Sequence, residues 1–121
     1  SLQKYPEYEQ EVKVKEKVWP IRIWYMYDQD VCTLIDVNER ERKVKIKNYT
    51  DKIMFRAFGV MEEPDYNQYI EFLESRCFPE SRDKMKLILK DLGLPFYDPI
   101  MIIEKTEGRM AEDDFWIRIE R

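Results

Sequence analysis

The sequence predicts an α+β domain: a small antiparallel sheet, made of a three-strand meander plus a C-terminal strand, packed against two to four helices. Three observations lead there. Apolar side chains alternate with period two over residues 21–27, 43–47 and 115–120, the spacing of half-buried strands, and residues 31–37 form a β-branched apolar run. After Asn48 the apolar spacing lengthens to the three-and-four rhythm of helices. The 121 residues, 44% of them apolar, suffice for one two-layered core without a second domain. Residues 1–20 are expected to form an extended N-terminal arm and residues 21–121 the single α+β domain.

Each element carries its own signals. In residues 1–18 four lysines balance four glutamates, and Val12 and Val14 give the only regular apolar alternation, so an extended arm is expected. Pro20 precedes IRIWYMY, in which Ile21, Ile23, Tyr25 and Tyr27 share one face and Arg22, Trp24 and Met26 the other. Asp28-Gln29-Asp30 turns tightly into VCTLIDV, a β-branched run that pairs back as a hairpin. NERER, residues 38–42, makes the second turn, and KVKIKNY then points Val44 and Ile46 one way and Lys43, Lys45 and Lys47 the other.

The helical half follows. Thr50 or Asp51 is expected to cap a short helix through Ile53, Met54, Ala57 and Phe58, stopped by Gly59. Glu62, Glu63 and Asp65 introduce a helix whose Tyr66, Tyr69, Ile70, Leu73 and Cys77 make one apolar stripe. Pro79 stops that helix, Ser81 caps the next, and Met85, Ile88, Leu89 and Leu92 repeat the pattern as far as Gly93, giving two antiparallel helices. Asp98-Pro99 reads as the N-cap and first-position proline of a short helix ending near Gly108, with a strand over residues 100–103 as the alternative. FWIRIE sets Phe115, Ile117 and Ile119 against Trp116, Arg118 and Glu120 and adds a last strand.

Composition removes several function classes. A net charge of −4 and a pI near 5.0 argue against broad phosphate neutralisation, so a nucleic-acid partner is not expected. No apolar run reaches the length of a membrane span and no charged-then-apolar leader opens the chain, so it reads as soluble and cytoplasmic with no membrane partner. There is no histidine, which removes Ser-His and Cys-His nucleophile pairs and imidazole-ligated zinc. The three glycines stand apart, so no phosphate-cradling loop exists and no cofactor is expected. Two cysteines on separate elements are too few for a disulfide scaffold.

RCFPESR, residues 76–82, poses the sharpest chemical question, because a thiol between Arg76 and Arg82 resembles a phosphate-attacking site. Phosphatase-type loops place arginine six positions after the cysteine; here the separation is five. The intervening residues include a proline without an N–H and a glutamate that repels anions. Cys77 is therefore expected to be a small buried hydrophobe at the corner between two helices. The run Glu112, Asp113 and Asp114 lacks calcium-loop spacing and reads as a solvated turn.

Arg40, Arg42, Lys43, Lys45 and Lys47 form a basic edge opposite an acidic helix bearing Glu62, Glu63, Asp65, Glu71 and Glu74. Such segregation is either an ordinary solvated strand face or a charge-complementary docking surface for another protein. Trp24 and Trp116, on the outward parity, either anchor such a contact or lie beneath a second layer of the domain's own core. Arg76 and Arg82 complete the candidate partner-binding set, with no catalytic and no metal-binding residue assigned.

Over residues 21–110 the order of signals resembles the N-terminal subdomain of HipA-type toxin kinases, which some systems encode as a separate small protein. The opening hairpin IWYMYDQDVCTLID, the helix FLESRCFPESRDKMKLILKDLGL and the segment YDPIMIIEKTEGRMA carry the resemblance. It implies a subdomain without catalytic residues that packs on a kinase core and, as a free protein, acts as a regulator or antitoxin. NYTDKIMFRAFGV stands where the family has a small-residue, proline-flanked strand. The expectation is thus a non-enzymatic interaction module, bacterial and of the toxin–antitoxin or mobile-element kind, with a kinase-like toxin as partner. Two alternatives stand beside it: a small enzyme using Arg76 or Arg82 with the carboxylates of residues 112–114, or a self-associating homodimer.

Overall fold

The computed structural model describes residues 19–121; the expected arm lies almost wholly outside the described residues. Four antiparallel strands, β1 (Ile21–Tyr27), β2 (Asp30–Asn38), β3 (Lys43–Asn48) and β4 (Phe115–Glu120), form one sheet in the order β3-β2-β1-β4. Three helices follow the meander before β4: α1 (Tyr66–Ser75), α2 (Met85–Leu92) and α3 (Pro99–Thr106). The α+β class and the sheet expected from the alternation are both present.

Register explains why the strands settle as they do. Ile46, Ile35, Ile23 and Ile119 stand side by side across all four strands, an apolar row that any one-residue slip would turn to the other face. Onto this face pack Tyr69, Phe72 and Leu73 of α1 and Ile100 and Ile103 of α3. Tyr25 stacks on Phe115 with centroids 4.8 Å apart and meets the edge of Phe72 at 4.9 Å. The opposite face carries a second cluster of Trp24, Met26, Val31, Leu34 and Tyr49, with Trp116 against it. A bulge opposite Tyr25 and Met26 makes this division possible. The pairing passes from Thr33 to Val31, so Cys32 turns to the main core while Val31 joins Trp24 on the other face.

The helix starts follow their caps. Asp65 accepts from the Gln68 backbone N–H while the Gln68 side chain accepts from the Asp65 N–H, both at 2.8 Å, closing a capping box on α1. Asp98 caps α3 through the Ile100 N–H at 3.1 Å, and Pro99 holds its first position, so residues 100–103 are helix and not strand.

Three expectations are corrected. The short helix over residues 53–58 is a single 3₁₀ turn at Ile53–Phe55, because Phe55, Ala57 and Phe58 turn inward onto the core. Ser81 does not cap α2, which begins after Lys84, a residue in the left-handed region at φ 62° with no side-chain cap. Nor do α1 and α2 pack as a hairpin: α1 lies against α3 and β3, whereas α2 is held through a satellite cluster of Leu89, Leu94 and Ile102.

The chain leaves α3 through two successive left-handed residues, Glu107 and Gly108. A Cβ at Gly108 would stand 3.2 Å from Ile117 Cδ1 and 3.5 Å from Arg76 Cβ, at a φ of +61°. Gly108→Ala is expected to lower stability in urea unfolding by about 1–3 kcal/mol. Gly93→Ala, at a φ of +74° but facing open space, is expected to cost less. Equal losses at the two sites would place the cost in backbone conformation alone.

Candidate functional site

The basic edge forms as a structural unit. β3 pairs with β2 alone among the described residues, so it is an edge strand, and the β2–β3 turn projects from the same end. Arg40, Arg42, Lys43 and Lys45 are exposed, and Lys47 is half-buried. Lys43 reaches Glu41 at 3.2 Å, and Lys45 lies 4.9 Å over the Trp19 ring. Arg42 closes the turn at a positive φ of 56° and is seated across the sheet: its guanidinium lies 4.5 Å above Tyr66 and donates to Asn67 Oδ1 at 3.4 Å. Sequence reasoning did not place Tyr66 and Asn67 here. Tyr66 belongs to the apolar stripe of α1, and nothing local to residue 42 signals a neighbour 24 positions on.

The adjoining sheet face is electrostatically self-contained. Register sets Glu120, Arg22, Asp36 and Lys45 in one row across the four strands, with alternating sign. Arg22 is buried and grips Asp36 with both ends of its fork, at 2.8 and 3.2 Å. Trp24 is 2% exposed, donates its indole N–H to Glu120 Oε1 at 3.1 Å and lies 4.1 Å beneath the Arg118 guanidinium. The reading of Trp24 as an exposed anchor is therefore corrected: it is a core side chain of the second face.

Arg76 and Arg82 part company. Arg82 is exposed, but the Arg76 side chain is only 7% exposed. Its Nε donates to the Gly108 carbonyl at 2.9 Å, its two Nη atoms clasp the Asp113 carboxylate at 2.9 and 3.1 Å, and Nη2 also donates to the Phe115 carbonyl at 3.0 Å. Its charge is spent inside the protein, so it is not a partner contact. Asp113 receives the Phe115 N–H as well, at 3.0 Å, so within the exposed run of residues 112–114 it is the half-buried member that ties the turn to Arg76.

A cleft of about 340 Å³ opens beside this corner, lined by Arg76, Arg82, Arg109 and Glu112 together with Cys77 and Phe78. It gathers part of the set an Arg/carboxylate enzyme would need. The Cys77 thiol, however, donates to the Pro99 carbonyl at 3.6 Å, and burial, aided by Glu74 and Asp98, pushes its pKa up to about 12. A rise of this kind favours the neutral thiol over the thiolate that nucleophilic attack requires.

The Arg76 hydrogen bonds hold the Asp113 carboxyl below its ordinary range, against the opposing effect of desolvation, with the Phe115 N–H assisting. A depressed folded pKa contributes stability that is complete above the unfolded value, near 4, and is lost as pH falls through the folded value. Wild-type protein is expected to lose stability below about pH 4 more steeply than Asp113→Asn. Parallel acid-unfolding curves for the two would contradict the assignment.

Compared with known proteins, the chain matches no protein-family model, no curated protein and no solved structure.

Proposed function

We propose that this domain is a non-enzymatic protein-interaction module, and that its docking surface is the β3 edge with the β2–β3 turn. The observation that carries the proposal is charge segregation at an unpaired edge. Between residues 38 and 48 five basic side chains stand against two acidic ones, in a chain whose net charge is −4. Lys43 meets Glu41 and Lys45 stands opposite Asp36, and the segment still carries more positive than negative side chains.

The chemistry of the edge selects the partner. Backbone groups of an edge strand pair with an added extended segment, and the side chains beside them decide which segment is accepted. Lys43 and Lys45 with Arg40 and Arg42 favour an acidic strand. They disfavour a second copy of β3, which would bring like charges together across a two-fold axis. The sequence resemblance to HipA-type N-terminal subdomains adds a kinase-like toxin as the candidate partner within this reading. The enzyme alternative is the weaker one, because Arg76 is committed to Gly108, Asp113 and Phe115, and of the carboxylates at residues 112–114 the cleft beside Arg82 is lined by Glu112 alone.

Affinity capture from the native host, with the protein as bait, is expected to recover one stoichiometric partner carrying an acidic segment. The double variant Lys43→Glu, Lys45→Glu is expected to lose that partner while keeping its melting temperature, and wild-type capture is expected to weaken as salt rises. Recovery of no stoichiometric partner, or undiminished capture by the charge-reversed variant, would overturn the reading.

A further inference from the structure

The open side of β3 can be read from its pairing with β2. The Tyr49 N–H donates to the Cys32 carbonyl at 2.9 Å, and the same register carries Lys47, Lys45 and Lys43 down the ladder, so these residues turn their backbone groups toward β2. Val44 and Ile46 turn theirs outward, where no strand pairs with β3 among the described residues. The side chains divide the same way, with Lys43, Lys45 and Lys47 on one face and the half-buried Val44 and Ile46 on the face toward the main core.

The chain carries a segment of matching period just upstream. Its odd-numbered positions read Glu7, Glu9 and Glu11 and then Lys13, Lys15 and Lys17. Extended, the three glutamates share one face, as the three lysines of β3 do, and Tyr8 and Gln10 take the other. The point of entry is also suitable. The Trp19 ring lies 4.9 Å from Lys45 Nζ, so the described chain begins on the lysine face of β3. β1 and β3 run the same way, each antiparallel to β2, with Ile21, Val37 and Val44 in one row. The upstream chain therefore meets β3 at its Lys43 end and runs antiparallel along it. A strand added there lies three strand spacings from β1, about 14 Å, and residues 12–18 can span about 23 Å.

We propose that residues 7–11 of this same chain occupy the β3 edge as an added antiparallel strand, with Glu11 opposite Lys43, Glu9 opposite Lys45 and Glu7 opposite Lys47. The inference rests on the reading of this edge as a docking surface and gives the edge a resident occupant, which an external acidic strand must displace. Lys43 already meets Glu41 and Lys45 lies over Trp19, but an ammonium has three donors and takes a cross-strand carboxylate beside those contacts. Charge selects the register: slid along by six residues, the arm would set Lys13, Lys15 and Lys17 against the lysines of β3. Pro6, which has no N–H, ends the pairing.

Amide hydrogen exchange of the full chain, followed by NMR along β3, tests the proposal with no partner present. The outward N–H groups of Val44 and Ile46 are expected to exchange at least about tenfold more slowly in the wild type than in the variant Glu7→Lys, Glu9→Lys, Glu11→Lys, while the inward N–H groups of Lys45 and Lys47 exchange alike in both. Lys43→Glu, Lys45→Glu is expected to lose the same protection, and adding Glu9→Lys, Glu11→Lys is expected to restore it. A partner that binds only the open edge is expected to bind the arm variant about tenfold more tightly than the wild type. Exchange at Val44 and Ile46 that arm reversal leaves unchanged would overturn the proposal and leave the edge to external segments alone. Protection lost on arm reversal, with no partner captured by either protein, would support the arm's docking and overturn only the external partner. Protection that grows with protein concentration would assign the added strand to a second copy and overturn the pairing within one chain.

Discussion

The buried guanidinium of Arg76 joins the end of α1 to the α3–β4 connection and to the first residue of β4. These segments lie 32 to 39 residues apart in sequence, so the contact closes the helical layer over the sheet. Several other features make sense around it. Gly108 lacks a side chain where Arg76 Cβ and Ile117 crowd it, and its carbonyl is free to accept the Arg76 Nε. The Glu107 carbonyl accepts the Ile117 N–H at 2.7 Å, so the turn after α3 is hydrogen-bonded to β4 directly as well as through Arg76. A charge taken out of water is tolerated only when its donors are matched, and here two backbone carbonyls and a bidentate carboxylate match them.

The sheet solves its remaining charge problem differently on its two sides. Toward the helices it presents aliphatic and aromatic side chains. On the other face a row of alternating charges, Glu120, Arg22, Asp36 and Lys45, crosses all four strands beside the Trp24 cluster. Cations also lie over the rings of Trp24, Trp116 and Tyr49, so the long basic side chains there are used as covers for aromatic surface. Along β3 and its turn positive charge is in excess even so, although Lys43 meets Glu41 at 3.2 Å and Lys45 stands opposite Asp36.

Much of this was legible in the sequence wherever the signal is local. Period-two alternation located β1, β3 and β4, a β-branched apolar run located β2, and Asp98-Pro99 located α3, because caps and strand faces depend on neighbours a few residues away. The bulge at Cys32 was hidden, since an unbroken apolar run gives no cue that one residue is left over between the paired positions. Alternation assigned Trp24 to the correct face but could not tell whether that face is covered. Arg76 was read as a flank of Cys77, when its partner Asp113 lies 37 residues on, in a run that looks like an ordinary acidic turn. Lys84 opens α2 in a left-handed conformation more natural to glycine, so propensity pointed instead to Ser81.

The structural account rests most heavily on the coupling between Arg76 and Asp113, and a double-mutant cycle measures it directly. Urea unfolding of wild type, Arg76→Met, Asp113→Asn and the double variant yields the interaction energy free of each residue's separate effects. The account predicts a coupling of about 2 kcal/mol, with the double variant less destabilised than the sum of the single ones, because Asp113→Asn leaves the buried Arg76 charge without its counter-ion and Arg76→Met leaves the half-buried Asp113 without its clasp. Single-variant losses that add within about 0.5 kcal/mol would contradict it and return the closure of the helical layer to apolar packing alone.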